Sequence, residues 1–193
     1  VIFVGMGGSG TIGDMFSAIL SKNDIHTSVM KGYLLPKTVD SNTLVVATSI
    51  SGNTNETLTV LEESLKTDAR IVAISSGGIM EEIASKNNTI SYFKIAQTHS
   101  PRASLFGFLY STLNILQEFI PIEKSSVLES LSQLEILQKQ ISSANLTDKN
   151  PALELAKWID NIPIIYYPAG LRSAAIRFKN SLQENAKIHV ITE

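Results

Sequence analysis

Cysteine is absent from this sequence, which excludes disulfide bonds and thiolate chemistry and agrees with the cytoplasmic location that we expect. A strong charge of either sign is absent too, because 16 basic and 18 acidic residues leave a net charge of −2 without a basic patch. We therefore expect neither nucleic acid nor a membrane as a partner. No apolar run approaches the roughly 20 residues of a membrane-spanning helix, and no signal peptide is visible.

Histidine is scarce as well. His26, His99 and His189 show no pair at metal-ligand spacing, so we predict no metal site. His99, two residues before Pro101, is the histidine that merits a test. Hydrophobic residues nevertheless make up 44% of the 193 positions, which is enough to bury a substantial core.

Two loops rich in glycine and hydroxyl groups carry most of the functional information. Gly5–Gly10 reads Gly-Met-Gly-Gly-Ser-Gly after an apolar strand, and Ser49–Thr54 reads Ser-Ile-Ser-Gly-Asn-Thr after another. Both loops lead into helical patterns, so their backbone N–H groups lie at the positive end of a helix dipole, where anions bind. Together the loops predict a site for a phosphorylated small molecule.

Short strands alternate with helices from residue 1 to about 95. The strands are nearly continuous apolar runs, which is typical of a parallel sheet covered by helices on both faces. With the common strand order 2-1-3-4-5, the first and third strands are neighbours, and their loops meet at one crevice. The predicted strands are 1–4, 26–30, 44–48, 70–74 and 90–95, and the predicted helices are 10–21, 54–66 and 79–87.

The pattern becomes helical after Pro101. Residues 103–119 are apolar on most sides and predict a buried helix. Residues 124–142 carry an apolar stripe that we expect to pack against the sheet domain or a partner subunit. A strand at 163–167, a helix at 171–185 and a strand at 187–191 then resemble the opening of a second α/β unit.

Two strands cannot complete a sheet, and the chain starts inside a strand pattern without methionine. We therefore expect a part of a longer protein, with an incomplete second domain. The predicted division is 1–120 for the first domain with its following helix, 121–160 for a helical connector and 161–193 for the beginning of the second domain.

Each loop also has simpler interpretations. Gly5, Gly7 and Gly10 fit the dinucleotide fingerprint or a purely structural turn, but the second strand ends near Lys31 without the carboxylate that holds a ribose. The hydroxyls of the second loop fit helix capping. Capping needs only one hydroxyl, so we favour phosphate binding. The capping alternatives are Thr54 with Thr57 and Asn53 with Glu56.

The helix predicted at 171–185 has a polar face, for which periodicity alone favours simple solvation. Glu184 on this face is a candidate general base, provided that it is buried. Arg102, in the loop after the fifth strand, is a candidate for stabilising an oxyanion. The polar face comprises Arg177, Asn180, Ser181 and Glu184, and the apolar stripe comprises Leu171, Ala175, Phe178 and Leu182.

Four segments carry a family resemblance: Gly-Met-Gly-Gly-Ser-Gly, Ser-x-Ser-Gly-Asn-Thr-x-Glu-Thr, Pro-Arg-Ala and Arg-Phe-Lys-Asn-x-x-x-Glu-Asn-Ala-Lys. Together they resemble the bifunctional phosphoglucose/phosphomannose isomerases, which belong to the phosphoglucose isomerase superfamily and consist of two sugar isomerase (SIS) domains. The match extends from residue 5 to about 188. The Ser-Gly-Asn-Thr loop occurs in many SIS proteins, whereas the last segment is more specific.

The resemblance implies a SIS-type, flavodoxin-like α/β fold and a homodimer that isomerises hexose 6-phosphates without a metal or cofactor. It implies that Glu184 moves the proton between C2 and C1 and that Arg102 stabilises the cis-enediolate. Ile50 departs from the family, whose members commonly have tyrosine there, and the family's ring-opening histidine lies beyond Glu193. The implied phosphate ligands are Gly7, Gly8, Ser9, Ser49, Ser51 and Thr54.

Two functions remain open at this point. The first is an aldose–ketose isomerase for glucose 6-phosphate and mannose 6-phosphate. In that case we expect this chain alone to be poorly active. The second is a non-catalytic SIS module that senses a sugar phosphate. A sensor needs only the loops, whereas an isomerase also needs Arg102, Glu184 and a downstream histidine.

Overall fold

The computed structural model describes residues 1–119 and 121–193. The chain forms two compact units, Val1–Ile120 with Pro168–Arg177 and Pro121–Tyr167 with Phe178–Glu193. The division predicted at residues 120 and 160 stays a prediction, and residue 120 lies outside the described residues. Across the described ranges, every helix is too short or too polar to span a bilayer.

The first unit contains five strands, β1 Ile2–Val4, β2 Ser28–Met30, β3 Leu44–Ser49, β4 Arg70–Ser75 and β5 Ile90–Lys94. They form one parallel sheet in the order β2-β1-β3-β4-β5, which confirms the predicted fold class and strand order. In the pairing of β1 with β3, Val4 lies opposite Ala47. The carboxyl ends of these two strands are therefore side by side.

Four helices accompany the sheet, α1 Gly7–Leu20, α2 Asn55–Ser64, α3 Gly78–Ser85 and α4 Leu105–Ile115. Strand side chains alternate between the two faces of the sheet, and apolar helix faces bury both. On one face the ring of Phe16 in α1 stacks on Phe3 with centroids 5.2 Å apart. On the other face Leu61 of α2 and Met80 of α3 pack into one cluster with Val45.

Two helices of this unit differ from prediction. The first begins at Gly7 rather than at residue 10, because Gly7 adopts a φ of +52° and turns the chain directly into α1. Helix α4 is shorter than predicted and is buried on one side only. Phe108 in it is fully buried, whereas the adjacent Phe106 is 50% exposed. The expectation that this helix is buried on most sides was wrong.

The second unit comprises α5 Lys124–Ile141, α6 Pro151–Trp158, β6 Ile164–Ile165, a π-helical turn at Leu182–Ala186 and β7 Ile191–Thr192. Helix α7 Arg172–Ser181 begins in the first unit and ends in the second. Strands β6 and β7 pair in parallel. The final strand begins at Ile191 rather than at the predicted 187, because Lys187 ends the π turn in the left-handed conformation with a φ of +58°. The predicted stripe of α5 is not buried among the described residues: Leu134 is half-buried, and Leu128, Leu131, Leu137 and Ile141 are 41–57% exposed.

Candidate functional site

Two helix N-termini lie at the carboxyl ends of neighbouring strands. Helix α1 starts three residues after β1, and α2 starts six residues after β3. Met6 and Thr54 are their N-cap residues. In the structure as described, neither N-cap side chain accepts a hydrogen bond from a helix N–H group. The first turn of α1 also lacks an acidic residue among the described positions. Uncapped first-turn N–H groups at the positive end of a helix dipole attract anions.

The two glycine-rich loops are in direct contact. The backbone N–H of Ile50 donates to the hydroxyl of Ser9 across 3.3 Å, and both residues are buried. A Cβ added to Gly5 would lie 3.0 Å from the carbonyl oxygen of Thr48 and 2.9 Å from the carbonyl carbon of Ser9. Only glycine allows this close approach. Because Ser9 accepts a hydrogen bond from Ile50, its own hydroxyl proton is available for donation to a ligand.

In the second loop, too, a serine hydroxyl accepts a hydrogen bond from a backbone N–H group. The Ser49 hydroxyl accepts from the N–H of Gly52 at 3.1 Å and lies 2.9 Å from the hydroxyl oxygen of Thr54. Whichever of these two hydroxyls donates to the other, the pair retains one proton for donation. Ser49 is fully buried, so it supports Thr54 from beneath the loop. Ser51 is exposed, and its hydroxyl accepts from the N–H of Asn53 at 3.3 Å.

The capping alternatives for this loop are wrong. Thr54 is the N-cap of α2 by position, but its hydroxyl pairs with Ser49 instead of a helix N–H. Thr57 Oγ1 has no hydrogen-bond partner among the described residues. The side-chain oxygen of Asn53 accepts from the N–H of Ile79 at 3.0 Å, so Asn53 caps α3 rather than α2.

The structure adds no support for the dinucleotide alternative. Strand β2 ends at Met30 without a carboxylate, and the ammonium group of Lys31 pairs with the carboxylate of Asp14 at 2.5 Å. Lys31 is therefore engaged on the surface of α1. An added Cβ at Gly10 would lie 2.7 Å from the carbonyl oxygen of Gly5 and 3.0 Å from Cε of Lys31, so this glycine allows α1 to approach the end of β1 closely.

Arg102 lies exposed in the segment between β5 and α4, and a second arginine contacts it. Nη2 of Arg177 donates to the backbone carbonyl oxygen of Arg102 at 3.0 Å. Nη1 of Arg177 lies 3.7 Å from the position of a Cβ added to Gly8. Periodicity had favoured simple solvation for Arg177. Its place in the Arg-Phe-Lys-Asn segment was the only sequence signal for a site role.

Glu184 lies in the π-helical turn of the second unit, whereas Arg102 and all six predicted phosphate ligands lie in the first. Glu184 is exposed, so the burial expected of it as a general base is not met in this chain. Single π turns are frequent at functional sites, because the extra residue per turn redirects a side chain. His99 is exposed and adopts a φ of +53° in its loop.

Comparisons with known proteins agree with this architecture. The SIS domain profile matches residues 1–116, and the profile described as bacterial phospho-glucose isomerase C-terminal SIS domain matches residues 148–193. The bifunctional phosphoglucose/phosphomannose isomerase of Thermoplasma acidophilum is 36% identical over 97% of this chain and 56% of its own length. The corresponding protein of Caldicellulosiruptor bescii is 34% identical, with the same coverage of 97% and 56%. The family resemblance drawn from the motifs is confirmed.

Among solved structures, the tagatose-6-phosphate ketose/aldose isomerase of Escherichia coli has the same fold. Its TM-score is 0.68 at 16% identity, over 99% of this chain and 55% of that one. The chain spans about half the length of the curated relatives that it matches. Since the SIS profile matches residues 1–116 of 193, more than half of the sequence, the chain belongs to the SIS domain family.

Proposed function

We propose that the protein carrying this chain is an aldose–ketose isomerase that interconverts glucose 6-phosphate and mannose 6-phosphate with fructose 6-phosphate. The observation that carries the proposal is the hydrogen bond from Ile50 to Ser9, which makes one anion site out of two loops. The names of the relatives from Thermoplasma acidophilum and Caldicellulosiruptor bescii support this choice of reaction. Cytoplasmic location is part of the proposal, since a chain without cysteine suits a reducing compartment.

The substrate phosphate is bound where α1 and α2 begin. Two uncapped helix starts supply backbone N–H donors and positive dipole ends for a dianion. The available hydroxyl protons add charge-assisted hydrogen bonds, which are stronger than neutral ones. The proposed ligands are Gly7, Gly8, Ser9, Ser49, Ser51 and Thr54, with Ser49 acting through Thr54.

The chemistry is a proton transfer between neighbouring carbons. Glu184 removes the proton from C2 of the open-chain aldose, which gives a cis-enediolate. The hydroxyl proton then passes from O2 to O1, and Glu184 returns its proton to C1 to give the ketose. Arg102 offsets the negative charge of the enediolate. In the reverse direction, proton return to either face of C2 gives glucose or mannose, so one site serves both epimers. Ring opening needs a further acid–base group, which we assign to a histidine outside residues 1–193.

The proposal is tested by a coupled assay of fructose 6-phosphate conversion with the full-length protein and its Glu184→Gln variant. Loss of a general base lowers kcat by about 10²–10⁴-fold, whereas phosphate binding through the loops stays nearly unchanged. Glu154→Gln is the matched control, because Glu154 is an exposed surface partner of Lys157 on α6. Unchanged turnover in Glu184→Gln would remove Glu184 from the mechanism. Sugar-phosphate binding without any wild-type turnover would favour the sensor.

We further propose that the full-length protein is a homodimer. The exposed stripe on α5 supports this, because four aliphatic side chains at helical spacing are 41–57% exposed, and such patches mark interaction surfaces. Light scattering coupled to gel filtration measures the mass directly. A mass equal to one protomer at micromolar concentration would refute the proposal.

A further inference from the structure

We infer that Arg177 is a positioning residue that links the bound phosphate to Arg102. The inference rests on the proposed function for its catalytic consequence and on the geometry of the first unit for its physical basis. Arg177 belongs to α7, yet its guanidinium group contacts two other segments. One nitrogen lies beside Gly8 in the first turn of α1, and the other donates to the carbonyl of Arg102.

The hydrogen bond from Arg177 adds a long-range contact to a loop that also closes through local hydrogen bonds. Ser104, which is 1% exposed, accepts from the N–H of Thr98 at 2.8 Å and donates to the carbonyl of Ser100 at 2.8 Å. These bonds close the loop on itself. The bond from Arg177 instead comes from a residue 75 positions away and fixes the peptide of Arg102 relative to α1.

The charge of Arg177 indicates what the first turn of α1 binds. A cation beside a helix N-terminus is at the unfavourable end of the dipole. The described first turn of α1 contains no acidic residue that would compensate for this. An anion at Gly8 relieves the conflict, because it pairs with both the guanidinium group and the helix N–H groups. Phosphate binding at this turn therefore holds Arg177 in place, and Arg177 in turn holds Arg102.

Arginine is suited to this task in a way that lysine is not. The planar guanidinium group places two donors in fixed directions, so that one faces the phosphate while the other holds a carbonyl. The ammonium group of lysine retains the charge but loses that fork. The two contributions of Arg177, charge and positioning, are therefore separable by substitution.

The test compares Arg177→Met, Arg177→Lys and Arg172→Met in the full-length protein. Arg172 lies on the same helix, is exposed and lines a different cleft, so Arg172→Met controls for the loss of one positive charge. We expect Arg177→Met to weaken inorganic phosphate binding roughly 5- to 10-fold and to lower kcat about 10- to 100-fold. We expect Arg177→Lys to retain phosphate binding but not kcat.

Two outcomes would overturn the inference. If Arg177→Met matches Arg172→Met in both phosphate affinity and kcat, Arg177 has no role at the site. If Arg177→Lys restores kcat fully, the bond to Arg102 has no catalytic consequence. Should the wild type lack isomerase activity, the proposed function fails separately. In that case two other measurements still decide the inference. One is the phosphate affinity, and the other is the amide hydrogen exchange of residues 100–104, which we expect to be about tenfold faster in Arg177→Met.

Discussion

Replacing Ser9 by alanine removes the acceptor of the hydrogen bond that joins the two loops. The N–H of Ile50 is then left without this partner in a residue that is only 4% exposed. A buried donor without a partner costs about 1–3 kcal/mol of unfolding free energy. Alanine returns roughly 0.5 kcal/mol through its higher helix propensity, since Ser9 lies in the first turn of α1.

The net loss is about 0.5–2.5 kcal/mol, which lowers Tm by about 1–10 °C in a chain of this size. Phosphate affinity falls as well, because a hydroxyl bond to a charged oxygen contributes about 1.5–3 kcal/mol, or roughly 10- to 150-fold. Circular dichroism melting gives the first quantity, and titration calorimetry with inorganic phosphate gives the second.

Two further variants separate these effects. Ser51→Ala removes an exposed hydroxyl that accepts only from Asn53 in the described structure, so phosphate affinity falls while stability changes by less than about 0.5 kcal/mol. Ser21→Ala, at the other end of α1, leaves phosphate affinity unchanged because its hydroxyl bonds to the carbonyl of Ala18. If Ser9→Ala keeps both its Tm and its affinity, the two loops do not form a joint site.

Two other predictions concern stability. Gly52→Ala places a Cβ 1.7 Å from the carbonyl oxygen of Gly77, at a residue whose φ is +72°. The substitution therefore lowers the free energy of unfolding by at least about 3 kcal/mol and Tm by roughly 6–12 °C. Gly107→Ala is the control, because its Cβ meets nothing within 4 Å, and it leaves Tm unchanged or higher. Thr112→Val removes a fully buried hydroxyl without a partner among the described residues and raises Tm by about 2–4 °C, and a fall in Tm would show that the hydroxyl is satisfied in solution.

Sequence reasoning succeeded where local pattern and topology determine the outcome. Continuous apolar runs such as Leu44–Ser49 identified central parallel strands, and the rules for doubly wound sheets placed β1 beside β3. The meeting of the two glycine-rich loops followed from that order alone. No detail of their side chains was needed.

The same reasoning failed where contacts depend on distant parts of the chain. Asn53 caps α3 through Ile79, which lies 26 residues away, although its local sequence predicts that it caps α2. Arg177 reaches a carbonyl 75 residues away, which helical periodicity does not encode. The π turn around Glu184 depends on one extra residue in a helical turn, a difference that is too small for a 3.6-residue pattern to detect.

The chain of bonds along the sheet edge has a consequence for how the protein folds. Ser9 meets Ile50 across 41 residues, and Asn53 meets Ile79 across 26, so the two loops are held by three strand–helix units whose strands, β1, β3 and β4, are neighbours in the sheet. Such contacts between distant residues form slowly, because the intervening loops must close first. We therefore expect the ligand site to be completed only after these distant contacts have formed, and truncation before residue 79 would yield a polypeptide in which the second loop lacks its Ile79 contact.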